Sequence, residues 1–565
     1  MDKRHRDLVE QGEKLFADRQ DLASLWQEVS LHFYPEMAEF TGERNVGRDF
    51  AGDLTTSYPL IARRTLGDAL SALLRPVTLD TTSPGVWFGM RANNQEREDD
   101  EAKAWMERAN TIMRRAMYDR PANFVRATKE GDHSFATFGQ CVIETGLNLN
   151  RDGLLYRSHH LKDVVWTENG EGKINMVQRV WNPTASQMVH TFGNKTHEKV
   201  RTMLHDRPHT RVKARHIVID RDTYEQQAGR TFKTPWISLW IDSENDHLIE
   251  EIGSYSKIYV IPRWMTIPGS QYASSPAVMA ALPDARLIQA MAMTILSAGE
   301  KFADPPLMAK REAVRSDVQT YSGGLTWVDI EHDERLEDVM RPLYQPTGGQ
   351  GVGIAMQMSA QVAEGIAKAF FLDSLSLPPM TVKEMTRFEV EQRVSEWIRR
   401  AVPIFEPMEF EYNGALCEET FEILLRNGAF GPLQEIPRSL SGAQIQFKFE
   451  SPLHESVERR KGQKFLEAKE ALIQAAELDP STTHILNATE TLRDIYDAIG
   501  VPRRWIRSQD EVNKMEQARQ EEQQAQQMMM QIEQGAGAVK DIGAAVKSMT
   551  PEQPKPAAAP KKKPA

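Results

Sequence analysis

Positive charge is in short supply in this sequence: 69 Lys and Arg face 80 Asp and Glu, leaving a formal net charge of -11 over 565 residues. Proteins grip duplex DNA by neutralising its phosphates with Lys and Arg, so the net charge speaks against a tight nucleic-acid binder, and any DNA contact is expected to be loose. Cysteine is almost absent. Cys141 and Cys417 lie far apart and neither has a second Cys at metal-ligand spacing, which removes disulfide frameworks and zinc ribbons and predicts two buried apolar side chains. Long apolar runs are also missing: the best stretch, Leu287 to Leu296, is interrupted by Gln289, so no membrane span is expected. The charged opening Met1-Asp-Lys-Arg-His-Arg-Asp has no apolar segment and predicts no secretory leader.

Catalytic motifs are lacking too. A phosphate loop of the Gly-x-x-x-x-Gly-Lys-Ser/Thr type, which an ATP-driven motor needs to cradle phosphates, occurs nowhere. The fragments Gly170-Glu-Gly-Lys173 and Gly193-Asn-Lys-Thr196 have the wrong spacing and read as turns. The glycines between Gly348 and Gly353 lack dinucleotide spacing and predict a flexible junction. His205, His209 and His216 form no metal motif and are expected at the surface; Asp329, Glu331, Asp333, Glu334 and Glu337 read as a solvated loop face. With no nucleophile elbow and no His beside either Cys, no enzyme activity, metal or cofactor is expected.

What is present is an ordinary globular composition, 40% hydrophobic and 26% charged, in a chain long enough for three or four domains. Helical recurrence marks the first 33 residues up to Pro35, then Thr56 to Leu74, then Glu96 to Glu130. Ser83 to Gly89 reads as a turn feeding a short buried strand. Between Gln140 and Arg263 the period changes to two: Asp163 to Glu168 and Lys173 to Trp181 flank a turn at 169–172, and Trp236 to Asp242 and Leu248 to Ser254 flank another, with a short helix expected over Lys195 to Asp206. From Val278 to Ala303 an alanine-rich helix carries a stripe of Leu287, Met291, Ile295, Ala298 and Phe302; a second, Ile354, Met358, Val362, Ile366 and Phe370, runs to Leu372. These two helices bracket a mixed insert opened by Asp304-Pro-Pro306. Leu377-Pro-Pro379 enforces a loop, after which Thr381 and Glu384 form a capping box for a long helix kinked near Pro403 or Pro407 and ended by Gly428. Helical segments follow to Arg507, Glu511 to Gln534 can be helical, and the end from Gly535 has linker composition. The fold class is α+β.

Several phrases, in this order, carry a resemblance: Tyr34-Pro35, Trp87-Phe88, Pro262-Arg-Trp264, Tyr272-Ala-Ser-Ser-Pro-Ala277 with Asp284-Ala-Arg-Leu287, Asp304-Pro-Pro306, Phe371-Leu-Asp373 with Leu377-Pro-Pro-Met-Thr381, the helix holding Glu384, Arg387 and Glu389, and Glu450-Ser-Pro-Leu453. Up to about Ser508 the chain resembles the head-to-tail connecting (portal) proteins of T7-like and related podophages. That resemblance implies a twelve-fold ring at one capsid vertex. It implies a wing of mixed helices and β-hairpins over 1–270, stem helices over 271–303 and 351–372, a small α/β clip over 304–350, and a tunnel loop over 373–380. A long kinked wing helix over 381–428 and a helical crown over 429–508 complete what the resemblance implies; beyond it the chain departs from the family, with a helix over 509–534 that could form a short barrel and a tail over 535–565 whose linker composition predicts disorder.

Functionally, the resemblance implies a channel for duplex DNA, passed non-specifically during packaging and ejection. Leu377, Pro378, Pro379, Met380 and Thr381 would face the DNA, Arg286, Gln289, Lys301 and Lys368 would belong to the stem and channel, and Lys310, Arg311 and Arg315 would meet partners at the clip. Implied partners are further copies of the chain, the terminase large subunit, tail adaptor and tube proteins, and the major capsid and scaffolding proteins. Physical chemistry agrees independently: a ring needs a heterologous interface that closes on itself, and Ala- and Met-rich helices suit close packing of identical neighbours. A net negative subunit also gives DNA few sticking points. An internal virion or scaffolding protein stays open as the alternative; it would show longer polar helices and fewer hairpins.

Overall fold

The computed structural model describes residues 2–42, 52, 54–75, 87–94, 99–228, 232–303, 307–309, 340–342, 350–375, 408–440, 442 and 445–449, with 492, 496, 507, 511–512 and 514–527. Helices and antiparallel sheets alternate in one body. The first helical stretch is two helices, α1 (Lys3–Asp18) and α2 (Gln20–Phe33), broken at Arg19. The break has a cause: Arg19 is buried and sends its guanidinium to the carbonyls of Lys162 and Val164 at 2.7 Å each. Next come α3 (Tyr58–Leu74), β1 (Phe88–Ala92), α4 (Asp100–Tyr118) and α5 (Phe124–Phe138). Asp99 caps α4 by accepting from the Ala102 amide at 2.7 Å. Leu66, Leu70 and Leu74, four residues apart on α3, are all buried against α5 and the aromatic core around Trp26, Phe33, Trp87 and Phe135.

The β-rich region holds two sheets. Strands β2 (Val142–Leu147) and β3 (Leu154–His159) pair as a hairpin, and β9 (Tyr259–Val260) joins β2 on its other side. The larger sheet runs β4 (Val164–Glu168), β5 (Ile174–Trp181), β6 (Ala214–Asp220), β7 (Trp236–Asp242) and β8 (His247–Ser254), every neighbour antiparallel. Both hairpins read from the sequence are here, turning at Asn169 to Lys173 and around Asp246. Inserted between β5 and β8 are α6 (Ala185–Phe192), α7 (Glu198–Asp206) and α8 (Arg221–Ala228). Thr184 and Gln187 cap α6 reciprocally, a signal the sequence carried for a helix it was not assigned.

β6 is covered on both faces. Ile217 and Ile219 pack with Leu8 of α1, while Val218 belongs to the main core, as the two-residue period of a strand requires. His216 alternates to that second face, so the expectation of a surface histidine is corrected: the ring is buried, stacked on Trp240 with centroids 4.1 Å apart. His205 and His209 are exposed. Arg179 donates through Nε to the Tyr259 hydroxyl at 2.8 Å, Tyr259 lies 2.5 Å from His216 Nδ1, and His216 Nε2 lies 2.8 Å from Ser238 Oγ. Burial and the nearby Arg179 charge keep His216 neutral; if Tyr259 gives its proton to Nδ1, the imidazole proton sits on Nε2, toward Ser238.

The central clamp is ionic. Arg75, just past α3, pairs with Asp132 of α5, donates to Asn413 Oδ1 at 2.7 Å, and stacks over Tyr412. Burial opposes the guanidinium charge, but Asp132 and Tyr412 hold its pKa above the ordinary value. Tyr412 and Asn413 lie in a π-helical turn, Glu409–Gly414, leading into α11 (Ala415–Arg426), which Gly428 ends with φ 70° as expected from the sequence. The next strand, β12 (Ile445–Phe449), pairs with β1 from Phe88↔Phe449 to Ala92↔Ile445. Residues 445–449, within the stretch that the resemblance assigns to a crown, thus form a two-stranded sheet with β1. Both cysteines are buried and unpaired.

Two outcomes test this account. Asp132→Asn strands Arg75 in the core and should cost about 3–5 kcal/mol in urea denaturation; a loss below about 1 kcal/mol would remove the clamp. Burial lowers the pKa of His160 to about 4, and burial with the nearby Arg179 charge lowers that of His216 to about 3. The unfolded chain therefore takes up protons near pH 6.5 that the native imidazoles refuse, so their contribution is full above that pH and declines as pH falls toward 4. The stability of His216→Gln should fall less steeply than that of the parent between about pH 7 and about pH 5; parallel slopes would refute a buried neutral imidazole.

Candidate functional site

The two alanine- and methionine-rich segments form a projecting pair. A π-helical turn, Ala277–Ala281, opens the first and continues without a break into α9 (Leu282–Ala303). The second, α10 (Gln350–Ala369), begins inside the glycine run, so Gly351 and Gly353 are helical rather than a flexible junction. Asp284 near the start of α9 lies against Gly365 near the end of α10, which makes the pair antiparallel. Beyond α9, β10 (Leu307–Ala309) pairs antiparallel with β11 (Met340–Pro342), so the bracketed insert leaves and returns at one place.

The root of the pair is held firmly. Gly139 ends α5 with φ 75°, and a Cβ there would come within 2.6 Å of the Ser274 backbone; only glycine permits this approach. Ser275 Oγ donates to the Thr137 carbonyl at 2.6 Å and Gln140 Oε1 accepts from the Ala273 amide at 2.9 Å. At the other helix's end Phe370 is buried against Phe33, and Phe371, at φ 58°, stacks on Trp264. A single helical turn, Leu372–Leu375, follows.

Burial then stops. Among the described side chains, the last buried one along α9 is Ile288, and along α10 burial begins at Ile366. Beyond these points large apolar side chains stand in solvent: Met293 is 59% exposed, Leu296 54%, Ile354 60% and Met358 52%. The stripe Ile354, Met358, Val362, Ile366, Phe370 therefore lies half outside and half inside the core. Isolated exposed apolar residues are ordinary, but a two-helix surface of this kind marks an interaction site. The helical segment 277–301 also has the length and mean hydropathy, 1.2, to cross a membrane.

Of the expected stem and channel residues, Arg286 is bound to Glu28 of α2 at 2.6 Å. Gln289 accepts from the Thr55 and Thr56 amides at 2.8 and 3.0 Å and donates to the Thr56 carbonyl at 2.8 Å, fixing the approach to α3. Lys368 pairs with Glu364 one turn away, and Lys301 is exposed. Leu377, Pro378, Pro379, Met380 and Thr381, with Lys310, Arg311 and Arg315, lie outside the described residues. The sequence reading missed the Thr55–Thr56 partner of Gln289, for which spacing of more than two hundred residues gives no signal. Among the described residues no three His, Cys, Asp or Glu side chains gather as metal ligands.

Comparisons with known proteins bear on this geometry. The sequence model of one family, described as bacteriophage head to tail connecting protein, matches residues 6–506. A protein of Bordetella phage BPP-1 named "Probable portal protein" is 24% identical, covering 95% of each chain. The "Portal protein" of Salmonella phage epsilon15 is 22% identical over 95% of this chain and 94% of its own. Among solved structures, a chain from the virion of a native gene transfer agent particle aligns with a TM-score of 0.35 at 9% identity, covering 74% of this chain and 86% of that one.

Removing the Gln289 clamp should be read locally. Gln289→Leu is expected to speed hydrogen exchange at the Thr55 and Thr56 amides about tenfold, with the α5 core amides unchanged; unchanged exchange at residues 55 and 56 would refute the clamp.

Proposed function

The chain belongs to the family of bacteriophage head to tail connecting proteins, and from that membership we propose that it is a portal subunit, closing with about eleven further copies into a ring at one vertex of the phage particle. The observation that carries the ring is the projecting helix pair, whose distal half exposes Met293, Leu296, Ile354 and Met358. A subunit cannot cover these side chains with its own described residues. Neighbouring copies of the same pair around an axis would cover them, because a heterologous contact repeated at a fixed rotation closes on itself. We assign this surface to neighbouring subunits rather than to lipid. Arg286 and Gln289, on the same helix, are tied to polar groups of the body, which fixes its root beside charged protein and water.

In this reading α9 and α10 are the stem, residues 304–350 the clip and residues 373–380 the tunnel loop, which departs from a root fixed by Phe370 and Phe371. Lys301 and Lys368 are the stem cations nearest the subunit interface or channel, while Arg286 and Gln289 act as anchors. The subunit has no catalytic role. Its partners are duplex DNA, held loosely by a wall of net negative charge, then the terminase large subunit and later the tail adaptor proteins at the clip, with capsid and scaffolding proteins outside. The two portal-named relatives, matched nearly end to end, support the portal reading.

Burying a carboxylate in a close-packed helix interface is costly. The Met293→Asp, Leu296→Asp double variant should therefore sediment as a subunit near 64.1 kDa, while the parent forms rings with a central hole in negative-stain images. A parent that stays monomeric at micromolar concentration, or a variant that still closes, would overturn the assignment.

A further inference from the structure

At the seam between the two sheets of the β-rich region lies an open cavity of about 360 Å³. Its wall is cationic: Arg157 and His159 from the end of β3, Lys162 and Asp163 from the turn that follows, Arg179 from β5, and Arg211 from the segment leading into β6. The chain as a whole carries a net charge of -11, so three arginines and a lysine around one space are a local inversion of its charge. We propose that this cavity is a binding site for a phosphate group.

The cations differ in what they already hold. Arg179, at the floor, is 7% exposed and gives Nε to Tyr259; its nearest carboxylate oxygen, on Glu144, is 3.8 Å from Nη2 and beyond hydrogen-bonding range. Lys162 is paired with Glu39 at 2.7 Å and His159 with Glu144 at 2.6 Å. Arg157 and Arg211 are exposed at the mouth, and neither side chain has a hydrogen-bonding or ionic partner among the described residues. Two unengaged guanidinium forks at the rim, with a third whose terminal nitrogens are not matched to an acceptor, present more donors than one carboxylate can accept. They suit the several oxygens and higher charge of a phosphate. Asp163 is the acid in the wall, and burial raises its pKa, which weakens its opposition to an entering anion. The cavity, of the volume usual for small-ligand sites, takes a free phosphate to the floor, or a backbone phosphate of nucleic acid at the rim.

The site lies within one subunit, so its test does not depend on ring closure. Full-length protein is titrated with inorganic phosphate by calorimetry and with a labelled duplex oligonucleotide by anisotropy, for the parent, the Arg157→Gln, Arg211→Gln double variant and the corresponding double Lys variant. Saturable phosphate binding, weakened about tenfold for each guanidinium removed and partly restored by lysine, is expected. If duplex affinity falls in parallel and its salt slope drops by about two, the phosphate is that of the DNA backbone; if duplex binding is unchanged, the ligand is free phosphate. Absence of saturable phosphate binding in the parent, or equal binding by the Gln variant, would overturn the proposal. So would polyglutamate binding through the two arginines where phosphate does not, which would identify an acidic protein partner instead.

Discussion

Helix α5 carries the constraint on which the rest of the described fold depends. In its middle Asp132 meets Arg75, and through Arg75 it fixes Asn413 and the turn that starts α11. At its end Gly139 lets the chain before the stem pass within contact of its backbone, while Thr137 and Gln140 hold that chain by hydrogen bonds. A buried ion pair adds little stability compared with a well-packed apolar substitute. What it does here is make the three segments interdependent, since none can leave without exposing a charge to the core.

From that anchor the architecture follows by covering or failing to cover apolar surface. The large sheet is covered on one face by α1 and on the other by the main core, so β6 is buried almost throughout. Among the described residues, the helix pair is covered only at its root. Along α9 and α10 the same alternation of large and small apolar residues passes from core to solvent without any change in composition. In the proposed ring, neighbouring subunits would complete the second half of that surface.

Much of this was legible in the sequence. Period-four apolar spacing located α3, α9 and α10, and turn residues at Asn169 to Lys173 and near Asp246 located both hairpins, because each signal is local. Depth was not legible. Ile354 and Phe370 share a stripe, yet one is exposed and the other buried, since periodicity names a face and says nothing of what lies against it. His216 was misplaced for the same reason: the alternation that buries it depends on strands brought together by topology. The break at Arg19 has no Pro or Gly to announce it, being imposed by carbonyls more than 140 residues away. Gln289 read as a polar interruption of an apolar run; its partners at Thr55 and Thr56 supply the reason it is there. The family resemblance supplied the portal reading.

The π-helical turn at Ala277–Ala281 sets the rotational phase of everything beyond it. A π-turn accommodates one residue more than an α-turn, and one residue is about 100° of helix rotation. The turn is held against α5 and the root of α9 against α2 and α10, so this single wide turn determines which way Met293 and Leu296 point relative to the body. The turn thus acts as an angular setting between a subunit's body and its projecting arm. In an assembly of identical arms around an axis, an error of that angle would be repeated at every junction, and the circle would not meet its own beginning.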